Sequence, residues 1–270
     1  MNEQNVEYLK ERIFFLGFGD KLNAELEKNI KAQKEQFQLP IQGEFNKGDK
    51  KEVVDFMLDF SKSKQNDMYF LNNYKATLKS DDPEKERSQT FYINKGNGVT
   101  AKEAYNLLEG RAVHKKLTNK DGDPYEAWLQ LNPKKEENGN HKVQQFHSAW
   151  GYDVNKSLEK HPIKELADPE QKERLIKSLE KGNLQQVTYT RNDKEEKMFL
   201  EANPKDRNVI VYDAQMVKQF QGIKEHKGEK AEVSKSQGEN SSEKKKSDKK
   251  EVSEEPDATE KKAKGRKMSV

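Results

Sequence analysis

Lys95-Gly96-Asn97-Gly98 stands directly ahead of Thr100 and Glu103. The residues before it read as a strand and those after it as a capped helix. Backbone amides, a helix N-terminus and the Lys95 ammonium would then converge, an arrangement that suits a phosphate or another anion. Lys95, Gly96, Gly98 and Thr100 are therefore candidate anion-binding residues. The loop lacks both GxxxxGKS/T and GxGxxG, so it signals no nucleotide fold. Its plainer reading is a turn needing positive φ, with Thr100 already closing the helix end.

Other residue types give less. Asn119, Asp121 and Asp123 are spaced like the first ligands of a calcium loop, but the glycine is displaced, Pro124 follows and the closing glutamate is missing. Asp-Gly between two strand-like runs reads instead as a hairpin turn. The five histidines, His114, His141, His147, His161 and His226, match no metal-binding spacing. His141 and His147 would share a face only on an unbroken strand. His147 and Trp150 form a candidate pair, although a half-buried histidine beside an aromatic is ordinarily structural. No serine lies in GxSxG, and no carboxylate pair stands out among 48 acidic residues. No catalytic, metal-binding or cofactor-binding residue is assigned. Near the C-terminal end, Lys261, Lys262, Lys264, Arg266 and Lys267 are candidate phosphate contacts through counterion release. Acidic residues interleave with the other basic runs there, and no aromatic is available for base stacking, so a solvating tail is the plainer reading.

The elements that would position these residues follow from periodicity. Val6, Leu9, Ile13 and Leu16 recur at helical spacing, as do Leu22, Leu26 and Ile30. Between them LGFGD breaks the helix, with Asp20 as the expected cap of the second, giving a helical hairpin. The period then becomes two: Phe37, Leu39 and Ile41; Val54, Phe56, Leu58 and Phe60; Met68, Phe70, Asn72, Tyr74, Ala76 and Leu78; Phe91 and Ile93. Short polar turns between such runs predict an antiparallel meander with one wet face.

From Gly98 onward a pattern occurs twice. WLQLNPK at residues 128–134 returns as FLEANPK at 199–205, and each follows a helix-like segment closed by glycine, Gly110 and Gly182. Thr100 with Glu103 is a capping box, and Asp168 with Pro169 caps the second helix. Each unit reads as a helix and three strands, the last strand of the first unit running to Trp150, with a short helix over 153–160 between the units. Self-similarity at fixed spacing indicates one supersecondary unit used twice. The predicted class is α+β. The predicted segments are 1–94 (hairpin and meander), 95–160 and 161–221 (two αβββ units) and 222–270 (a disordered charged tail).

Composition bounds the rest. Only 31% of the 270 residues are hydrophobic and 37% are charged, so the core must be thin. Residues 221–270 carry 14 basic and 11 acidic side chains, the whole of the net +3, and residues 1–220 hold 37 of each. A neutral body offers no global field for nucleic acid. The chain has no cysteine, which excludes disulfides and thiolate chemistry and fits a reducing cytosol. The first fifteen residues have no secretory pattern, and no apolar run approaches a membrane span, so a cytoplasmic protein without a membrane partner is expected.

The stretch NKGNGVTAKEAYNLLEGRAV (94–113), with YEAWLQL (125–131), Gln145 to His147, PIKELADPEQKERLIKSLEKGN (162–183) and MFLEANP (198–204), resembles a bacterial domain family of unknown function. That family is common on conjugative transposons and other mobile elements of Bacteroidetes. The resemblance covers most of residues 1–220 and implies a fold and a genomic setting, with no catalytic residues to carry over. The expected function is a non-catalytic accessory protein that binds a protein or a nucleic acid, DNA or RNA. The helix, three strands and helix of each unit match the element order of double-stranded-RNA-binding domains, an analogy of order alone. The alternatives are a protein-directed regulator or inhibitor that adds a strand to its partner, and a metal-dependent hydrolase or nuclease.

Overall fold

The computed structural model describes residues 2–48, 50–93, 98–191 and 194–219. The predicted disordered tail, with its basic cluster and His226, lies outside the described residues. Within them the class is α+β: α-helices packed on three antiparallel sheets.

Helix α1 (Glu3–Ile13) starts at Asn2, whose side chain accepts the Asn5 amide, and buries Val6, Leu9 and Ile13. Residues Phe14–Phe18 continue it as a wide π-type turn that ends through Gly17 at φ 90°. Helix α2 (Asn23–Lys31) buries Leu26 and Ile30 and is tied to α1 by a Lys10–Glu27 ion pair of 2.8 Å. Asp20 does not cap it with its side chain. Leu22 occupies the cap position and is drawn into the core, while Asp20 contributes only its carbonyl to the Asn23 amide.

The meander comprises β1 (Gln36–Lys47), β2 (Lys50–Lys62), β3 (Tyr69–Leu78) and β4 (Arg87–Tyr92), hydrogen-bonded in that order. Phe37, Leu39, Val54, Phe56, Leu58 and Phe60 point into the core as the alternation predicts. In β3 the alternation holds for only half the strand. The register jumps between Asp59/Asn73 and Phe60/Leu71, so a bulge inserts Asn72. Tyr69 and Leu71 are buried before it and Tyr74, Ala76 and Leu78 after it, whereas Phe70 is exposed. One extra residue reverses the facing of everything upstream.

Helix α3 (Ala101–Leu108) follows, with its capping box formed: Glu103 N donates to Thr100 Oγ1, and Thr100 N to Glu103 Oε2 at 2.8 Å. Then come β5 (Val113–Thr118), β6 (Pro124–Lys135) and β7 (His141–His147), which form a three-stranded sheet. The last strand stops at His147, because Ser148–Trp150 turn as a short 3-10 segment into Gly151 at φ 79°. Helix α4 (Val154–Leu158) is capped by Asp153. Helix α5 (Pro169–Glu180), capped by Asp168, leads into β8 (Gln185–Arg191), β9 (Lys194–Asn203) and β10 (Asn208–Tyr212). A short β11 (Lys218–Gln219), absent from the sequence reading, pairs with β10.

The two helix-and-three-strand segments form separate sheets with matching register. Leu129 of β6 faces Val113 and Gln145, and Leu200 of β9 faces Gln185 and Val211. Val113 and Gln185 each lie three residues beyond the helix-ending glycine, so the pairing is laid out alike in both. Helix α3 packs on both the meander and β5–β6, and α5 packs on β5 as well as on β8–β9. The first hydrophobic cluster therefore joins the meander to the first of these segments, from Val6 to Leu131. The second joins Ala112 and Trp128 of the first segment to Leu179, Tyr189 and Leu200 of the second. A lone segment of about 60 residues would be marginal by itself, and these clusters tie each segment to its neighbour. Where β4 and β7 approach each other, Asn140 Oδ1 accepts the Thr90 amide (2.9 Å) and Gln89 Oε1 accepts the His141 amide (2.7 Å).

Candidate functional site

The π-type turn decides what the first helix exposes. Its i+5 hydrogen bonding widens one turn, carrying Leu16 and Phe18 into the core and leaving Phe14 and Phe15 outside, 59% and 72% exposed. Phe18 packs edge-on against Phe56 and Tyr74, each at 5.2 Å, so the turn is anchored from below. Tyr8 is 51% exposed on the same helix and lies beneath the Arg12 guanidinium at 5.8 Å.

Phe15 borders a groove of about 420 Å³. Its walls carry Arg12 from α1, Lys115 and Lys116 from β5, and Lys177 and Lys181 from α5 and the residue after it. Glu103 and Glu180 are the acidic groups there, so five permanent cations face two carboxylates. Lys115 is held by Glu103 at 2.9 Å, Lys177 by Glu173 at 2.5 Å and Lys116 more loosely by Glu126 at 3.5 Å. Among the described residues Arg12 and Lys181 make no ion pair. The Lys116 and Lys177 pairs are exposed and contribute little to stability, so those two lysines are available to exchange a carboxylate for a phosphate, whereas the Lys115–Glu103 pair is largely buried and keeps its partner. The groove concentrates positive charge that the neutral body total hides.

The sequence-predicted residues divide around this groove. Gly98 and Thr100 line it. Lys95 and Gly96 lie outside the described residues, as do Lys261, Lys262, Lys264, Arg266 and Lys267. Thr100 is committed to the capping box, and the Glu103 carboxylate already holds its amide. Gly98 serves close packing: a Cβ there would sit 2.5 Å from Ile93 Cδ1 and 3.2 Å from Leu16 Cδ2. Arg12, Phe14, Phe15, Lys115, Lys116, Lys177 and Lys181 were not singled out in the sequence. The available signal was the Phe14-Phe15 doublet, which falls off the Val6–Leu9–Ile13 stripe.

The remaining candidates separate. Asn119 and Asp123 bond each other across the hairpin, with Gly122 at φ 96°. His141 is buried with Nδ1 on the Asn132 carbonyl, and His147 lies against Tyr125. Trp150 donates its indole N–H to the Pro204 carbonyl at 3.0 Å and stacks under Arg207, clasping the second FLEANPK motif. His161 is buried against the Tyr189 hydroxyl at 2.8 Å, and burial lowers its pKa. Among the described residues no three His, Asp or Glu side chains converge as metal ligands, and no helix is long and apolar enough to cross a membrane. No family model, curated protein or solved structure matches the chain.

Proposed function

We propose that this chain is a non-catalytic accessory protein that binds single-stranded nucleic acid across the Phe15 groove. The observation that carries the reading is the meeting of five cations with the exposed Phe15 ring, which has exposed Phe14 edge-on beside it at 5.8 Å. Cations follow a phosphate backbone and aromatic faces take unstacked bases, which together make a sequence-tolerant single-strand site. Arg12 and Lys181 would supply the first phosphate contacts, and the basic residues 261–267 would add weak, salt-sensitive affinity. The matching register around Leu129 and Leu200 supports two copies of one αβββ unit. The likeness to a mobile-element family supports an element-borne setting in the cytoplasm.

The test is fluorescence anisotropy of labelled single-stranded DNA, duplex DNA and RNA over a salt series, with the full chain and residues 1–221 side by side. The 1–221 chain is expected to prefer single strands with a steep salt slope. Replacing both Phe14 and Phe15 by alanine is expected to remove about 1–3 kcal/mol, roughly five- to 150-fold in affinity. Binding that needs residues 222–270, or that ignores the phenylalanines, overturns the groove as the contact. Absence of all binding favours the protein-directed regulator, whose partner would then cover the same doublet.

A further inference from the structure

A second pocket, independent of the groove reading, opens on another side of α3. It measures about 260 Å³ and is formed by the β1–β2 turn, α3 and the turn between α5 and β8. Lys47, Lys102 and Arg111 bring three cations to it, beside the side-chain amides of Asn46, Asn106 and Asn183. Lys47 is already paired with Glu109 and, at 3.6 Å, with Glu52. Arg111 is 6% exposed; its Nε donates to the Gly182 carbonyl at 3.0 Å, its Nη2 to Asn106 Oδ1 at 2.8 Å, and its Nη1 lies 3.4 Å from Glu109. Lys102 differs from both. Its ammonium lies over the stacked rings of Phe45 (5.2 Å) and Tyr105 (4.8 Å) and has no carboxylate partner among the described residues.

A half-buried ammonium held beside a guanidinium without its own counter-ion is electrostatically incomplete. Burial first, and the Arg111 charge second, lower the Lys102 pKa. The nearby carboxylates do not resolve this. Glu109 is shared between Lys47 and Arg111, and Glu201, whose carboxyl is pushed up by burial, is engaged by the Tyr212 hydroxyl at 2.8 Å. An incoming oxyanion would give Lys102 the counter-ion it lacks, with the Glu109-paired Arg111 guanidinium alongside, which is worth more in a low-dielectric recess than on the surface.

We propose that the Lys102–Arg111 pocket is a binding site for a phosphate group. Its volume lies just below the range of ordinary small-molecule sites, a size that suits a small oxyanion. The group would join three segments distant in sequence: the β1–β2 turn, the helix of the first unit and the entry to the second sheet. Its occupancy therefore sets how firmly the two units are coupled. The phosphate arrives either as the free ion or as the end of a nucleotide chain.

The experiment is isothermal titration of the full-length protein with inorganic phosphate at constant ionic strength, repeated for Lys102→Met and Lys102→Arg, with thermal melts of each. Lys102→Met keeps an apolar stem over the rings and removes only the charge. Saturable binding is expected, with affinity at least tenfold weaker in Lys102→Met and largely retained in Lys102→Arg. Competition by a 5′-phosphorylated oligonucleotide, and not by its 5′-hydroxyl form, assigns the site to a strand end. Binding of inorganic phosphate without that competition assigns it to the free ion. The proposal is overturned if phosphate shows no saturable binding at millimolar concentration, or if folded Lys102→Met binds it as well as the parent chain.

Discussion

Helices α3 and α5 occupy matching places in their units and are buried in opposite ways. In α3, seven of eight residues are buried, including Glu103 and Asn106. In α5, only Leu175 and Leu179 of twelve are buried. The cause is position. The first helix is covered by the meander on one side and by its own sheet on the other, whereas the second meets its own sheet and, from its neighbour, β5 and the short helix α4. The same local plan can therefore serve as an interior layer or as an outer one, and the residue types follow the role: AKEAYNLL inside, PEQKERLIKSLE outside.

The most forceful way to break this comparison is to empty each helix in turn. Leu107→Ala in α3, where the side chain is 1% exposed, is expected to cost about 4 kcal/mol, and Ile176→Ala on the partly covered side of α5 about 1 kcal/mol. Urea denaturation measures both, and equal losses would show that α3 is no more enclosed than α5. The helix-ending glycines give a second contrast. A Cβ on Gly182, at φ 76°, would meet the Ala112 carbonyl and Val113 Cγ2 at 2.8 Å, while one on Gly110, at φ 87°, would find only Arg87 Nη1 at 3.8 Å. Gly182→Ala is expected to cost about 3 kcal/mol from backbone strain and overpacking, against about 1 kcal/mol for Gly110→Ala. Comparable melting shifts would mean that the two units are not pressed together at Gly182.

The smallest effect concerns acid. His161 lies in the second core with its pKa lowered, first by burial. Its neutral form is the one the fold accommodates, so its contribution is complete above the unfolded value of about 6.5. That contribution is lost as pH falls through the lower folded value. Urea midpoints are expected to fall between pH 7 and pH 5, and His161→Gln to flatten that slope. An unchanged slope would remove His161 as the source of acid sensitivity.

Much of this was legible in the sequence where local chemistry decides. The Thr100–Glu103 box, the Asp168–Pro169 start and the two helix-ending glycines depend on residues within a turn of each other, and each took the expected form. The facing of β3 was not legible past its bulge. The choice between Phe70 and Leu71 as the inward residue is set by pairing with β2, which no alternation within β3 contains. The groove was hidden for a related reason. Arg12, Lys115 and Lys181 come from three distant elements, and a sum over residues 1–220 averages their charge away. The phenylalanine doublet was visible, but its exposure depends on a widened turn that the Val6–Leu9–Ile13 spacing does not encode.

The side chains of Asn140 and Gln89, which reach across between β4 and β7, have a consequence beyond holding two sheets in place. Each takes a main-chain N–H that an open sheet margin would otherwise present as a template to another chain. A charged or Pro-bearing margin repels such pairing; here one N–H on each border is capped by a side-chain amide from within. Losing Asn140 and Gln89 would free one N–H on each of the two adjoining borders to pair with a strand of another molecule.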